Sequence, residues 1–421
     1  MENSNLINWL NEIYSGDGNE SFLDAQVRRY SEALEVFKLA YGPGPVHIYR
    51  APGRVNLIGE HIDYAGGWVL PVALSRTVAV AAGPGKAGRV RVHSDQFLDA
   101  GVAEFGPEDR PPAAYSAFVH ALVLETGARG ADLTVVSDLP VERGWSSSAA
   151  FAVAVAAALL ALDERLLRPS ALDLCLLCQR AETHALGVEC GLMDQHAAVF
   201  GQAGSAVWLD TRTLSHQLVP LKLGSACLVL VDSDQPRRLA QSGYNQRRQD
   251  LTLAVDELRR QLGDFGSWRE LDTDEALGAL RGLSDISARR LRHVLTEQRR
   301  VEQFARALEG GDPLELGRLL SASQQSLSDD YEVSTPELDR LCELLSAAPG
   351  VYGARLVGGG FGGGALALAD RDDLGAVLSE PLAEYQRQTR LEPRWDEVRS
   401  GDGARVLLSD GGTELVREWL R

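Results

Sequence analysis

Between residues 24 and 41 apolar side chains recur at Val27, Tyr30, Leu34, Phe37 and Ala40, the spacing of one helical face. Gly42-Pro43-Gly44-Pro45 stops that helix, and Val46-His47-Ile48-Tyr49 alternates as a strand does. Residues 68–83, 88–94 and Leu133–Val136 predict further strands, while residues 50–71 carry dense Gly, Asn, His and Asp between short apolar pieces. After a turn at Pro140–Gly144, three serines precede the apolar run Ala149–Leu162, a pattern that predicts a serine-capped, buried helix. Helices are predicted over 170–187 and 191–201, two or three strands over 205–231, and amphipathic helices over 240–262, 287–309 and 314–327. Ala354–Asp370 reads as strand, glycine loop, strand. Strands and helices mix without regular βαβ alternation, which predicts an α+β fold. We expect two domains, residues 1–222 and 223–421.

Composition narrows the function classes. Of 421 residues, 45% are hydrophobic and 24% charged, so wholesale disorder is excluded. A formal net charge of −17 sets the surface against nucleic acid and anionic membranes. The run Ala149–Leu162 is too short to span a bilayer, and Met1–Ser4 shows no basic segment before an apolar run, so neither a membrane anchor nor a leader peptide is expected. Five cysteines, an odd number in a long chain, favour a reducing compartment and a cytoplasmic protein over a disulfide framework. Cys175 and Cys178 form a lone CxxC inside Leu-rich helical sequence, which reads as core.

Some motifs are decoys. Gly358–Gly363 satisfies GxGxxG only because six of the seven residues from 358 to 364 are glycine, and no ribose-binding acid follows it. Asp264-Phe265-Gly266 lacks the rest of the protein-kinase motif set. GxxxxGK[ST], HExxH and GxSxG are absent.

Three glycine–polar segments carry more. Arg50–Tyr64 crowds Arg54, Glu60, His61 and Asp63 among permissive glycines, a set suited to a polyhydroxylated ligand whose hydroxyls both donate and accept; a solvated loop fits the residues equally well. Gly144-Trp145-Ser146-Ser147-Ser148 opens a helix, which makes either an anion site built from free N–H groups or a plain serine cap. Gly358–Gly364 lies between two strands, where only glycine lets backbone lie close to a neighbour over such a length.

Taken together, the segments resemble the GHMP small-molecule kinases and, within them, the galactokinase family. Arg50–Tyr64 resembles the galactokinase signature, Gly191-Leu192-Met193-Asp194-Gln195 the GxMDQ segment, Ser242–Arg248 the SxYNxRR segment, and Ser328–Asp339 a further family run. The resemblance spans about residues 20–370. It implies an N-terminal S5-like domain, a C-terminal ferredoxin-like domain and an active site in the cleft between them. It also implies transfer of the γ-phosphate of ATP, with Mg²⁺, to the C1 hydroxyl of galactose. By motif match Arg54 and Asp194 are catalytic. Glu60, His61, Asp63, Gly191 and Tyr244 contact the sugar. Gly144, Ser146, Ser147, Ser148, Gly358, Gly359 and Gly360 bind nucleotide, and Ser148 with Glu182 holds the metal. Partners are then a sugar and ATP, with no nucleic acid or membrane, in a monomer or weak homo-oligomer.

The chain departs from the family pattern at several points. Glu142 and Trp145 stand where the phosphate segment usually has glycine and leucine, with Arg143 between them. Pro112 stands where Trp packs on adenine, and Ile62, Ala65, Val357 and Gln324 replace commoner residues. Two alternatives therefore stay open: a kinase for N-acetylgalactosamine, arabinose or a uronic acid, and a non-catalytic sugar sensor.

Overall fold

In a computed structural model, all residues are described except 1–2, 15–19, 112–113, 140–143, 164–165, 167, 188–190, 237–239, 408–412 and 420–421. Pro112, Glu142 and Arg143 therefore lie outside the described residues. The strand foreseen at 46–49 runs on through the polar signature, from His47 to Asn56. It pairs antiparallel with Pro71–Gly83, and a register shift between Pro52 and Arg54 absorbs the proline, which has no N–H to donate.

These two strands are the middle of a seven-stranded sheet among the described residues. Its order is Thr413–Leu415, Arg405–Leu407, His47–Asn56, Pro71–Gly83, Gly130–Ser137, Arg89–Ser94 and Ala103–Phe105. Alternation decides which layer each side chain joins. Tyr49, Ala51, Val78 and Val80 face the helices Ala114–Thr126, Ser147–Leu162 and Ala171–Leu186. Ile48, Ala79, Ala81 and Val136 face the opposite way, against Trp9, Tyr30 and Phe37 of the two N-terminal helices, Asn3–Tyr14 and Glu20–Tyr41. The Ser147–Leu162 helix is buried along nearly its whole length, as an Ala- and Leu-rich run without a polar face must be.

A four-stranded antiparallel sheet orders Val351–Val357, Gly363–Asp370, Ala226–Gln235 and Arg394–Glu397. Its core includes Leu341 and Leu345 of the Pro336–Ala347 helix and Leu378 and Tyr385 of the Leu374–Thr389 helix. A three-stranded sheet (Trp68–Val69, Ser205–Asp210, His216–Pro220) stands beside the first sheet. The chain does not stay in its second half. Arg405–Leu407 returns to pair with Ile48–Arg50, and Gly401, Gly403 and Ala404 donate to the carbonyls of Ala73, Gly201 and Ala198. Arg405–Leu407 and Thr413–Leu415 thus belong to the first sheet, beyond the expected boundary at 222/223. No described helix is long and apolar enough to cross a membrane. Cys175, Cys178, Cys227 and Cys342 are free and buried, as the helix-core reading of the CxxC expects.

Candidate active site

Arg54 stands just past the bulge in its strand, and Asp194 in the first turn of the Met193–Phe200 helix. They lie 140 residues apart in sequence, yet Arg54 Nε donates to Asp194 Oδ1 at 2.7 Å. Arg54 Nη2 reaches the same oxygen at 2.7 Å. Arg54 Nη1 donates to the Gly144 carbonyl at 2.9 Å and its backbone N–H to the Trp145 carbonyl at 3.0 Å, which ties the glycine–serine segment to the signature. Gly53 makes this approach possible, because a Cβ there would strike the Trp145 carbonyl and the Leu139 side chain.

Ser146 does not cap the helix that follows it. It adopts a left-handed conformation (φ 55°) and makes no side-chain cap bond. Its hydroxyl instead donates to Asp194 Oδ2 at 2.6 Å. The serine cap expected from sequence is thereby corrected. The left-handed backbone turns the hydroxyl toward a carboxylate instead, and charge-assisted bonds outrank neutral ones. Ser146 thus offers no side-chain cap to the first-turn N–H groups of a 16-residue helix that starts beside the Arg54–Asp194 pair.

Glu182 and Ser148 also meet. Glu182 accepts from Gln195 Nε2 at 2.6 Å. Burial pushes its carboxyl up to about 7, against the opposing hydrogen bond from Ser148 and with the Asp194 charge adding to the rise. A buried carboxyl next to a hydroxyl fits a hard divalent cation that completes its shell with water and phosphate oxygens. No group of three or more His, Cys, Asp or Glu able to hold a metal occurs among the described residues, so an all-protein cage is not what this set offers.

The remaining signature residues converge on the same place. Asp63 is pushed up to about 7, by burial first and then by the Asp194 and Glu60 charges. Gly191 packs against it so closely that a Cβ would overlap Asp63 Oδ2. His61, itself left-handed (φ 63°), accepts or donates at Nδ1 with the Tyr64 hydroxyl at 2.9 Å. The Tyr64 hydroxyl in turn meets that of Tyr331 at 2.8 Å. The His61 ring lies 5.5 Å from Tyr244 and 5.0 Å from Tyr331, and burial lowers its pKa to about 3, so the imidazole is neutral.

Glu60 is 2% exposed. Its Oε2 accepts from Asn56 Nδ2 at 3.1 Å, and its Oε1 from the Gly358 N–H at 2.9 Å and from Arg355. The glycine loop is thereby docked onto protein. Gly359 packs on the Tyr244 ring, a Cβ on Gly360 would strike the Val333 carbonyl, and Phe361 N–H donates to that carbonyl at 2.8 Å.

Sequence reasoning missed the residues behind the signature. Arg355, Glu297 and His293 are all fully buried. Glu297 Oε1 accepts from the Gly59 N–H at 2.9 Å, and His293 Nε2 meets the Glu60 carbonyl at 3.0 Å. Two signals were available. An arginine interrupts the apolar strand before the glycine loop, and His293 and Glu297 sit four apart on the buried face of the Asp285–Gly310 helix, among Leu291, Val294 and Val301.

Comparison with known proteins agrees with this geometry. Residues 35–84 match the galactokinase galactose-binding signature, residues 113–202 the GHMP kinases N terminal domain, and residues 304–387 the GHMP kinases C terminal domain. The chain is 39% identical to a galactokinase of Roseiflexus sp. over 90% of its own length and 97% of the relative's. It is 37% identical to the Thermotoga maritima galactokinase over 85% and 99%. Its fold superposes on Lactococcus lactis galactokinase complexed with galactose with a TM-score of 0.84 at 32% identity, covering 89% of this chain and 99% of that one. Mevalonate kinase of Methanococcus jannaschii, at 14% identity and TM-score 0.56, shares the fold alone. With signature, phosphate segment and glycine loop linked by direct contacts and the relatives matched along most of the chain, this protein belongs to the galactokinase family of GHMP kinases.

Proposed function

We propose that this protein transfers the γ-phosphate of ATP to the C1 hydroxyl of galactose. The observation that carries the reading is the Arg54–Asp194–Ser146 constellation at a helix N-terminus without a side-chain cap. The sugar O1 sits at Asp194, which takes its proton as O1 bonds to the γ-phosphorus. The bond from that phosphorus to the β,γ-bridging oxygen breaks and ADP leaves. Arg54 and the N–H groups at the start of the Ser147–Leu162 helix counter the negative charge on the transferring group, and positioning with electrostatics is most of what phosphoryl transfer requires.

His61, Asp63, Gly191 and Tyr244 line the sugar side, and Glu60 keeps a lone pair on Oε2 for a hydroxyl. Gly144, Ser146, Ser147 and Ser148 face the triphosphate, while Gly358, Gly359 and Gly360 cover sugar and phosphate from the second sheet. Ser148 and Glu182 would hold magnesium, which supplies neutralisation of the triphosphate charge when bound. The division at 222/223 is retained, with the strands Arg405–Leu407 and Thr413–Leu415 returned to the first domain. We further place the protein in the cytoplasm, as a monomer or weak homo-oligomer.

One observation favours a related sugar as a second reading. Ala65 puts only a methyl group in the signature loop, and the loop's backbone is held from outside by Trp268 Nε1 on the Ala65 carbonyl at 2.9 Å. A panel of free sugars with ATP, read by ADP release and by the position of the phosphate on the product, tests both. Turnover of galactose to the 1-phosphate is the expected result. Turnover of another sugar without galactose moves the assignment to that sugar, and sugar binding with no turnover leaves a sensor.

A further inference from the structure

The strand that ends at Asn56 leaves buried backbone groups without sheet partners, and Arg355, from the four-stranded sheet, supplies them. Its Nε donates to the Leu57 carbonyl at 2.9 Å and its Nη1 to the Leu356 carbonyl at 2.7 Å. Nη2 donates to the Asn56 carbonyl and, at 3.3 Å, to Glu60 Oε1. A guanidinium has five N–H donors in a fixed fork, so one side chain can serve three carbonyls and a carboxylate together. A buried charge placed this way is costly unless every donor is matched, and Glu60 provides the opposite charge.

The consequence lies one bond further on. The same Glu60 oxygen accepts the N–H of Gly358, the first residue of the glycine loop, whose left-handed φ of 76° sets the loop's direction. Signature and glycine loop thus share a single oxygen, and Arg355 holds that oxygen from the interior while Asn56 holds the other.

We infer that Arg355 is a positioning residue that acts through Glu60, holding the carboxylate so that the sugar signature and the glycine loop are set as one unit. The inference rests on the sugar site proposed above. Arg355→Lys keeps the charge but loses the fork, since an ammonium cannot reach the Asn56 and Leu57 carbonyls and Glu60 at once. We expect its KM for galactose to rise about tenfold or more, while nucleotide affinity without sugar stays within about twofold, as losses of single charge-assisted contacts would give. Glu60→Gln should raise the galactose KM similarly, and the double variant should be no worse than about twofold beyond the poorer single one, because both changes break one linkage. A merely structural arginine would lower the melting temperature, change both substrates' KM together and multiply with Glu60→Gln; that outcome overturns the inference.

If Arg355→Lys does not fold, hydrogen exchange in the wild type decides. Galactose alone should slow exchange over residues 357–364, and an unchanged rate at saturating sugar refutes the coupling. A wild type that neither binds nor phosphorylates galactose fails the functional reading alone, and the same cycle is then run with the sugar that the panel identifies.

Discussion

Replacing Asp194 by asparagine removes one charge and little else. The amide oxygen can keep the Oδ1 position, where Arg54 Nε and Nη2 both arrive at 2.7 Å. The amide nitrogen then stands at the Oδ2 position, 2.6 Å from Ser146 Oγ, which can turn from donor to acceptor. The number of hydrogen bonds is preserved, and what is lost is the charge assistance. Charge-assisted bonds contribute about 1.5–3 kcal/mol against about 0.5–1.5 for neutral ones, so Asp194→Asn should cost about 1–2 kcal/mol of stability. That is a fall of a few degrees in melting temperature, not unfolding. Turnover should suffer more, because the carboxylate takes the O1 proton and the amide cannot. A loss of about 10²-fold or more in kcat is expected, equivalent to about 2.7 kcal/mol of transition-state stabilisation. ADP release at saturating galactose and ATP gives kcat, and calorimetric titration gives the sugar affinity, which should change by less than about fivefold. A kcat within threefold of wild type, in a variant that binds sugar normally, would refute the role given to Asp194.

Other expectations follow from the same neighbourhood. Gly191→Ala drives a methyl group into Asp63 Oδ2 and should raise the galactose KM by about tenfold or more while sparing nucleotide affinity, which substrate-variation kinetics would reveal. Glu182→Gln removes a carboxyl that burial holds at about 7, so the ligand-free variant should melt no lower than wild type at pH 8. The same variant should need more magnesium and lose at least about tenfold in kcat; a lower melting point with unchanged magnesium dependence counts against the metal assignment. The Asp63 carboxyl, also held at about 7, binds its proton in the folded state when the unfolded chain has already lost it. Wild-type stability therefore falls relative to Asp63→Asn as pH rises from about 4 to 7, and the difference levels off above that. Burial-neutralised His61 (about 3) and His293 (about 4) tilt both proteins the opposite way below 6.5, so the wild-type-minus-variant difference in denaturant melts is the quantity to follow.

Most of the framework was legible because periodicity reports burial. The run Ala149–Leu162 announces a buried helix, and the amphipathic stripes over 240–262 and 287–309 become the helices Ala240–Leu262 and Asp285–Gly310. The pattern fails where burial and polarity part company. Arg50–Asn56 is strand despite Pro52, Gly53, Arg54 and Asn56, because a register shift spares the proline and ion pairs and hydrogen bonds satisfy the polar side chains. The Ala114–Thr126 helix went unread because, apolar on most sides, it shows no stripe. In the site, motif likeness named Arg54 and Asp194, which the fold brings into contact, yet no local spacing could place Arg355 behind Glu60. That contact joins residues almost 300 positions apart, and a lone arginine in a strand carries no mark of which backbone it will serve.

The return of Arg405–Leu407 and Thr413–Leu415 to the first sheet bears on how the protein is made. Arg405–Leu407 occupies the flank of the strand that carries Arg54, and the Val416 N–H donates to the Ala404 carbonyl to pin that end in place. A chain emerging from the ribosome exposes the sugar signature well before the strand that flanks it, which follows hundreds of residues later in sequence. Until then His47–Asn56 presents an open edge, ready to pair with whatever strand is nearby. Maturation of the nascent enzyme is thus a closing of the circle, in which the signature strand waits for a partner made much later.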